Sequence, residues 1–308
     1  MKSSVFTVLK MIVLSAIMFV LFGLASAAAG LQDTPQPADQ AGNTALALVA
    51  ICLLNSAVLA FIIIRSRWSG LKLMATMFLA HYGVTTLMSQ IESAIFITKL
   101  PPGILPRLFL MGAFIAAPFS VLSVLILGKG RKAAPDAGIQ VDRSSTEWLW
   151  KVGVIVVAYI ILYFTFGYFI AWQSPAVREY YGGVDEGSFF ANMRSLIETS
   201  PWLFGVQAIR ALLWVVIALP VINMLKGSRL ETAILIALLF SVVMNTQLLL
   251  PNPYMPDAVR MAHLVETASS NFLFGFLVGW LLSRTPTVET EPSNSWKRLN
   301  LTSAPSSP

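Results

Sequence analysis

Residues 201–225 read PWLFGVQAIRALLWVVIALPVINML, an apolar run with a single charge, Arg210, inside it. A bilayer core about 30 Å thick is crossed by roughly 20 apolar residues in a helix, so the run is long enough to span. A guanidinium at that depth costs roughly 2.5–3.5 kcal/mol on insertion scales and needs a partner or a purpose. These two statements set the fold class and the functional question together.

Seven further runs of the same kind flank it: Val5 to Ala29, Thr44 to Ile64, Leu71 to Ile97, Ile104 to Leu127, Trp148 to Trp172, Leu230 to Leu250 and Asp257 to Ser283. With 56% hydrophobic and 12% charged residues and a mean hydropathy of +0.73, the solvent of this chain is lipid. The expected fold is all-α, a polytopic transmembrane helix bundle of about eight spans. Lys2, Lys10 and the small residues Ala25-Ser26-Ala27 around the first run also fit a secretory signal, which would leave seven. The chain thus divides into residues 1–29, a first helix or signal sequence; 30–283, the bundle; and 284–308, a Ser-, Thr- and Pro-rich tail expected to be disordered and cytoplasmic. Asn300-Leu301-Thr302 in that tail matches a short glycosylation acceptor.

Lys and Arg fix the expected orientation, because they collect in cytoplasmic loops. With the N-terminus inside, fifteen fall in inner segments and only Lys99, Arg107, Arg178, Arg194 and Arg260 in outer ones. Both termini are then cytoplasmic, in a plasma membrane of bacterial type, and the net charge of +6 is a topology signal that requires no nucleic-acid partner. The lone Cys52, inside the second run, reads as a small buried apolar residue.

Besides Arg210, the ionisable residues His81, Glu92, His263 and Glu266 lie inside apolar runs. Helix rise puts Arg210 about 5 Å outward of its midplane, Glu266 and Asn245 about 7 Å, and Glu92 and His263 about 12 Å, with His81 near the middle. Helical phase groups them further: His81, Thr85, Ser89 and Glu92 share one face, His263, Glu266 and Ser270 another, and Gln207 lies one turn from Arg210. The expected pocket, in the outer half of the bilayer, therefore contains Glu92, Arg210, His263, Glu266, His81, Ser89, Gln207 and Asn245. A Glu266 to Arg210 ion pair is one way to balance its charge. Arg107 and Arg260 lie near enough to the interface to snorkel.

His263, Glu266 and Glu92 also offer N, O and O ligands suited to zinc or a similar divalent ion, the one metal candidate in a chain for which no cofactor is otherwise expected. The pattern of β-branched residue, Glu, hydroxyl and small residue recurs at Ile91–Ala94, Ile197–Ser200 and Val265–Ala268, as in a decayed repeat. Pro118 and Pro220 are expected to kink their helices. The outer loop from Gln173 to Ser200, with Tyr180, Tyr181, Phe189 and Phe190, reads either as a lid on the pocket or as an interfacial anchor.

No P-loop, G-x-S-x-G, H-E-x-x-H or CxxC is present, so no nucleotide partner is expected. The leading expectation is transport or binding of a small solute or ion. An intramembrane enzyme acting on a lipid or lipid-linked group from the outer leaflet, and a structural subunit of a membrane complex, stay open beside it.

Overall fold

The computed structural model describes residues 2–31, 41–97, 100–131 and 145–283. The tail from 284, with its acceptor site, and the loop residues 132–144 lie outside the described residues. The chain is a multi-pass membrane helix bundle. Its helices are α1 (Lys2–Ala28), α2 (Ala41–Ile64), α3 (Gly70–Tyr82), α4 (Met88–Phe96), α5 (Ile104–Ile126), α6 (Ser145–Phe166), α7 (Pro175–Tyr181), α8 (Phe189–Thr199), α9 (Trp202–Met224), α10 (Arg229–Leu238) and α11 (Asp257–Leu282).

Seven stretches among the described residues are long and apolar enough to cross a membrane: Val5–Ala28, Asn43–Ile64, Ile104–Ile126, Thr146–Ala171, Trp202–Met224, Arg229–Leu249 and Asp257–Leu282. The expected third span is the exception. It is helical from Gly70 to Phe96 but divided by a widened π-type turn at Gly83–Leu87, and its polar stripe makes it too hydrophilic for that set. Two more π-type turns follow α6 at Gly167–Ala171 and α10 at Leu239–Val243. None of the three contains a proline; Pro118 and Pro220 lie inside α5 and α9, which run on as α-helix through them.

The two ends of the bundle are built differently. At the basic end the α2–α3 and α9–α10 connections pair, Arg67 N donating to Met224 O at 2.7 Å and Lys226 N to Arg65 O at 3.0 Å. Lys129, after α5, joins them by donating from Nζ to Ser66 O at 2.7 Å, and Arg65 pairs with Glu231. Desolvation, with the Lys226 charge nearby, holds the Lys129 ammonium below its ordinary pKa. Above this end sits a dry core in which Trp214, Phe240 and Phe274 are almost wholly buried, with ring centroids 4.1 and 5.9 Å apart in sequence.

Small residues let α10 and α11 approach closely, as the Gly275 and Gly279 spacing predicts. A Cβ on Gly275 would fall 2.8 Å from Ala237 Cα, and one on Gly279 2.6 Å from Ala233 Cα, both backbone atoms that cannot yield. At the opposite, capped end, α7 and α8 lie over the bundle. Here α5 packs on α1, α3 and α4, while α6 packs on α9 and α11. The two groups stand on either side of an open space.

Candidate functional site

That space is a cavity of about 670 Å³, and all three π-type turns contribute to its wall through Thr85 and Thr86, Gly167 and Tyr168, and Val243. A π-type turn admits an extra residue and turns side chains away from the regular helical phase, which is why such turns recur at functional sites. The polar stripe of α3 and α4 falls where helical phase predicts: His81, Thr85, Ser89 and Glu92 all line the cavity. From the other side come Asn245, Gln247, His263, Glu266 and Thr267. Of the expected pocket residues, Arg210 and Gln207 are the two that stand behind the wall.

Arg210 is 1% exposed and works through Glu92. Its Nη2 lies 2.5 Å from Glu92 Oε1, and its Nη1 donates to Gln207 Oε1 at 2.9 Å. The guanidinium carbon also lies 5.7 and 5.9 Å from the ring centroids of Tyr159 and Tyr163, close enough for the electron-rich faces to share in compensating a desolvated cation. The Glu266 to Arg210 pair considered from sequence is therefore replaced by Glu92 to Arg210. Equal depth could not say which carboxylate the guanidinium would reach.

Glu266 pairs along its own helix instead, Oε2 lying 2.7 Å from His263 Nδ1 one turn earlier. On the far side of that imidazole, Nε2 meets the Tyr181 hydroxyl of α7 at 3.1 Å. Burial pushes the Tyr181 phenol well above its ordinary pKa, so it keeps its proton. With a neutral imidazole the line then runs from Tyr181 O–H to Nε2 and from Nδ1–H to Glu266. The Glu266 carboxylate lies against the π-type turn after α6, 3.6 Å from the position a Cβ on Gly167 would take, an ordinary contact distance.

Between the two carboxylates is a small void of about 10 Å³, bordered by Glu92, Glu266, Tyr159, Tyr163, Thr267 and Asn271 among others. A void of that size is about what one water molecule requires. Thr267 donates to Asn245 Oδ1 at 2.6 Å, Asn245 Nδ2 donates to Ser241 O at 2.7 Å, and Gln247 donates to Ser89 across the cavity. His81 Nδ1 and Gln90 Oε1 are buried without a hydrogen-bond partner, as is Ser120 Oγ away from the cavity, and the His81 ring stands edge-on to Phe119 at 5.5 Å.

The metal candidate is not assembled. Among the described residues no group of three His, Cys, Asp or Glu is placed to hold an ion. Glu92 is turned to Arg210 and His263 Nδ1 to Glu266, so the three donors do not converge. Arg260 does not snorkel either: it is 3% exposed, pairs with Asp257 at 3.0 Å and donates to Leu250 O at 3.0 Å. The three-fold echo brings Glu92 and Glu266 to the cavity but leaves Glu198 on the surface of α8 beside Arg194 at 2.9 Å.

Tyr181 is the site residue that sequence placed only in a loop. Each reading of that loop describes half of it. α7 docks, with Val177 fully buried and Tyr180 donating to Tyr254 O at 2.8 Å. α8 lines the cavity through Asn192, Met193 and Leu196 and leaves Phe190 82% and Ile197 56% exposed on its other side, as an interfacial helix does. No family model, curated protein or solved structure matches this chain.

Proposed function

We propose that this chain binds a small solute in the cavity at its capped end and carries it across the membrane, with that end facing outward and both termini cytoplasmic. The observation that carries this reading is the cavity itself: about 670 Å³ of space inside a membrane bundle, with Glu92 and Glu266 on its wall. Ligand sites are commonly concave, mostly apolar and fitted with a few convergent polar groups.

The carboxylates are the groups able to exchange a proton or a cation during a transport cycle. An enzyme on a lipid-linked group is the second reading, favoured by the line Tyr181–His263–Glu266, which has the form of a general acid–base relay. It would need a substrate atom at His263 Nε2, and Tyr181 fills that position. Solute binding is the better supported of the two.

Single cysteines at Ser93 and Gln247, in a Cys52→Ala background, test the reading. A membrane-impermeant thiol reagent added from outside is expected to modify both. Complete protection at both positions would remove the pocket and leave only helix packing.

A further inference from the structure

The cavity wall has a one-sided charge. Among its described lining residues are two carboxylates, Glu92 and Glu266, two imidazoles, and no Lys or Arg. The arginines nearby are engaged elsewhere: Arg210 is 1% exposed with both Nη atoms bonded, Arg260 is held by Asp257 and Leu250 O, Arg178 by Trp172 O, and none of the three is among the lining residues. Arg210 matches only one of the two carboxylates: Glu92 meets it, while Glu266 meets an imidazole, so one carboxylate has no fixed cation beside it and a positive ligand closes the balance. An anionic ligand would bring a third negative charge into a low-dielectric space with no donor cation to meet it, which costs far more than it returns.

The rest of the wall suits the body of such a ligand. Tyr163, Tyr168, Trp172 and Tyr181 supply aromatic faces, which attract desolvated cations. Leu108, Met111, Ile115 and Leu203, on the two facing helix groups, supply apolar surface. A bare metal or alkali ion would use none of this apolar volume.

The geometry points to a lipophilic organic cation as the ligand, its charge beside Glu92, Glu266 and Tyr163 and its apolar body between α5 and α6, α8 and α9. This rests on the reading of the cavity as a binding site and names the class of molecule it takes. The ligand is itself soluble in lipid, and α5 faces α6 and α9 across the cavity, so the bilayer offers it a route in beside the one from outside.

Tetraphenylphosphonium and tetraphenylborate, nearly equal in shape and opposite in charge, make the test. Purified protein in phosphatidylcholine nanodiscs is expected to bind radiolabelled tetraphenylphosphonium saturably above empty discs, and to show no saturable binding of tetraphenylborate. Glu266→Gln is expected to weaken the cation about tenfold or more, with Glu92→Gln as a second, independent removal of charge. Met111→Trp, which fills apolar volume and touches neither carboxylate, is expected to abolish binding. Equal or tighter binding of tetraphenylborate, no saturable binding of the cation, or cation affinity indifferent to both Gln variants would each overturn the inference. The thiol labelling at Ser93 and Gln247 reads the pocket without any cation, so failure of the ligand class and failure of the pocket are told apart.

Discussion

Two carboxylates border the same small void, yet they are held in different ways. Glu92 on α4 meets Arg210 on α9, a cation that cannot lose its proton. Glu266 on α11 meets His263 on its own helix, a group that is able to be neutral or charged near neutral pH. One corner of the site is thus a fixed ion pair joining two helices. The other is a hydrogen-bonded line whose charge is free to change, and it ends on α7, outside the spans. The comparison teaches that equal depth and equal residue type do not make equal roles. Glu92 is structural and electrostatic at once, while Glu266 is positioned to respond.

Removing each carboxylate should break the comparison most directly. Glu92→Leu strands a guanidinium that is 1% exposed and has no neutral form to escape into. Breaking a buried pair in this way costs about 3–5 kcal/mol, to be read as a large fall in the thermal midpoint of the protein in detergent micelles. The double variant Glu92→Leu, Arg210→Met should regain most of that loss. Glu266→Leu leaves only an imidazole, which is content to be neutral, so the same measurement should fall by about 1–2 kcal/mol, the scale of a lost hydrogen bond to a charged group. Equal losses at the two corners would mean that His263 is as fixed in charge as Arg210, and the distinction would fail.

The part of this arrangement that sequence encodes is periodic. Apolar length marked Pro201 to Leu225, and the helix occupies Trp202–Met224. Helical phase put His81, Thr85, Ser89 and Glu92 on one face, and that face is a wall of the cavity. Which partner each charge takes was not legible, because it depends on the rotation and tilt of helices far apart in sequence: Glu92 and Arg210 are brought together only once α3 has packed on α9. The π-type turns were equally hidden. Gly83 and Gly167 open two of them, but Leu239–Val243 is a largely apolar stretch, packed against α2 and α11, with no glycine or proline to mark it. Tyr181 gave no signal of its own, since a tyrosine at a membrane surface usually anchors at the headgroups. Only the docking of α7 on α11 distinguishes it from Phe190.

The smallest effect is the most specific. Tyr181→Phe removes one hydroxyl and keeps the ring that stacks edge-on against His263 at 5.7 Å, so its cost should stay near 1 kcal/mol. Tyr180→Phe is its natural control, because it deletes the neighbouring bond to Tyr254 O from the same short helix. Both should speed hydrogen exchange across 177–181, since each untethers α7 from the bundle. Only Tyr181→Phe takes away the partner of His263 Nε2. Nitrogen NMR of labelled histidine should therefore show the His263 Nε2 resonance move in Tyr181→Phe and stay in Tyr180→Phe, with His81 unchanged in both. If the two variants shift it alike, the hydroxyl serves only to dock α7. If Tyr181→Phe alone shifts it, the line from α7 through His263 reaches Glu266, and the responsive corner of the site is controlled from the loop that covers it.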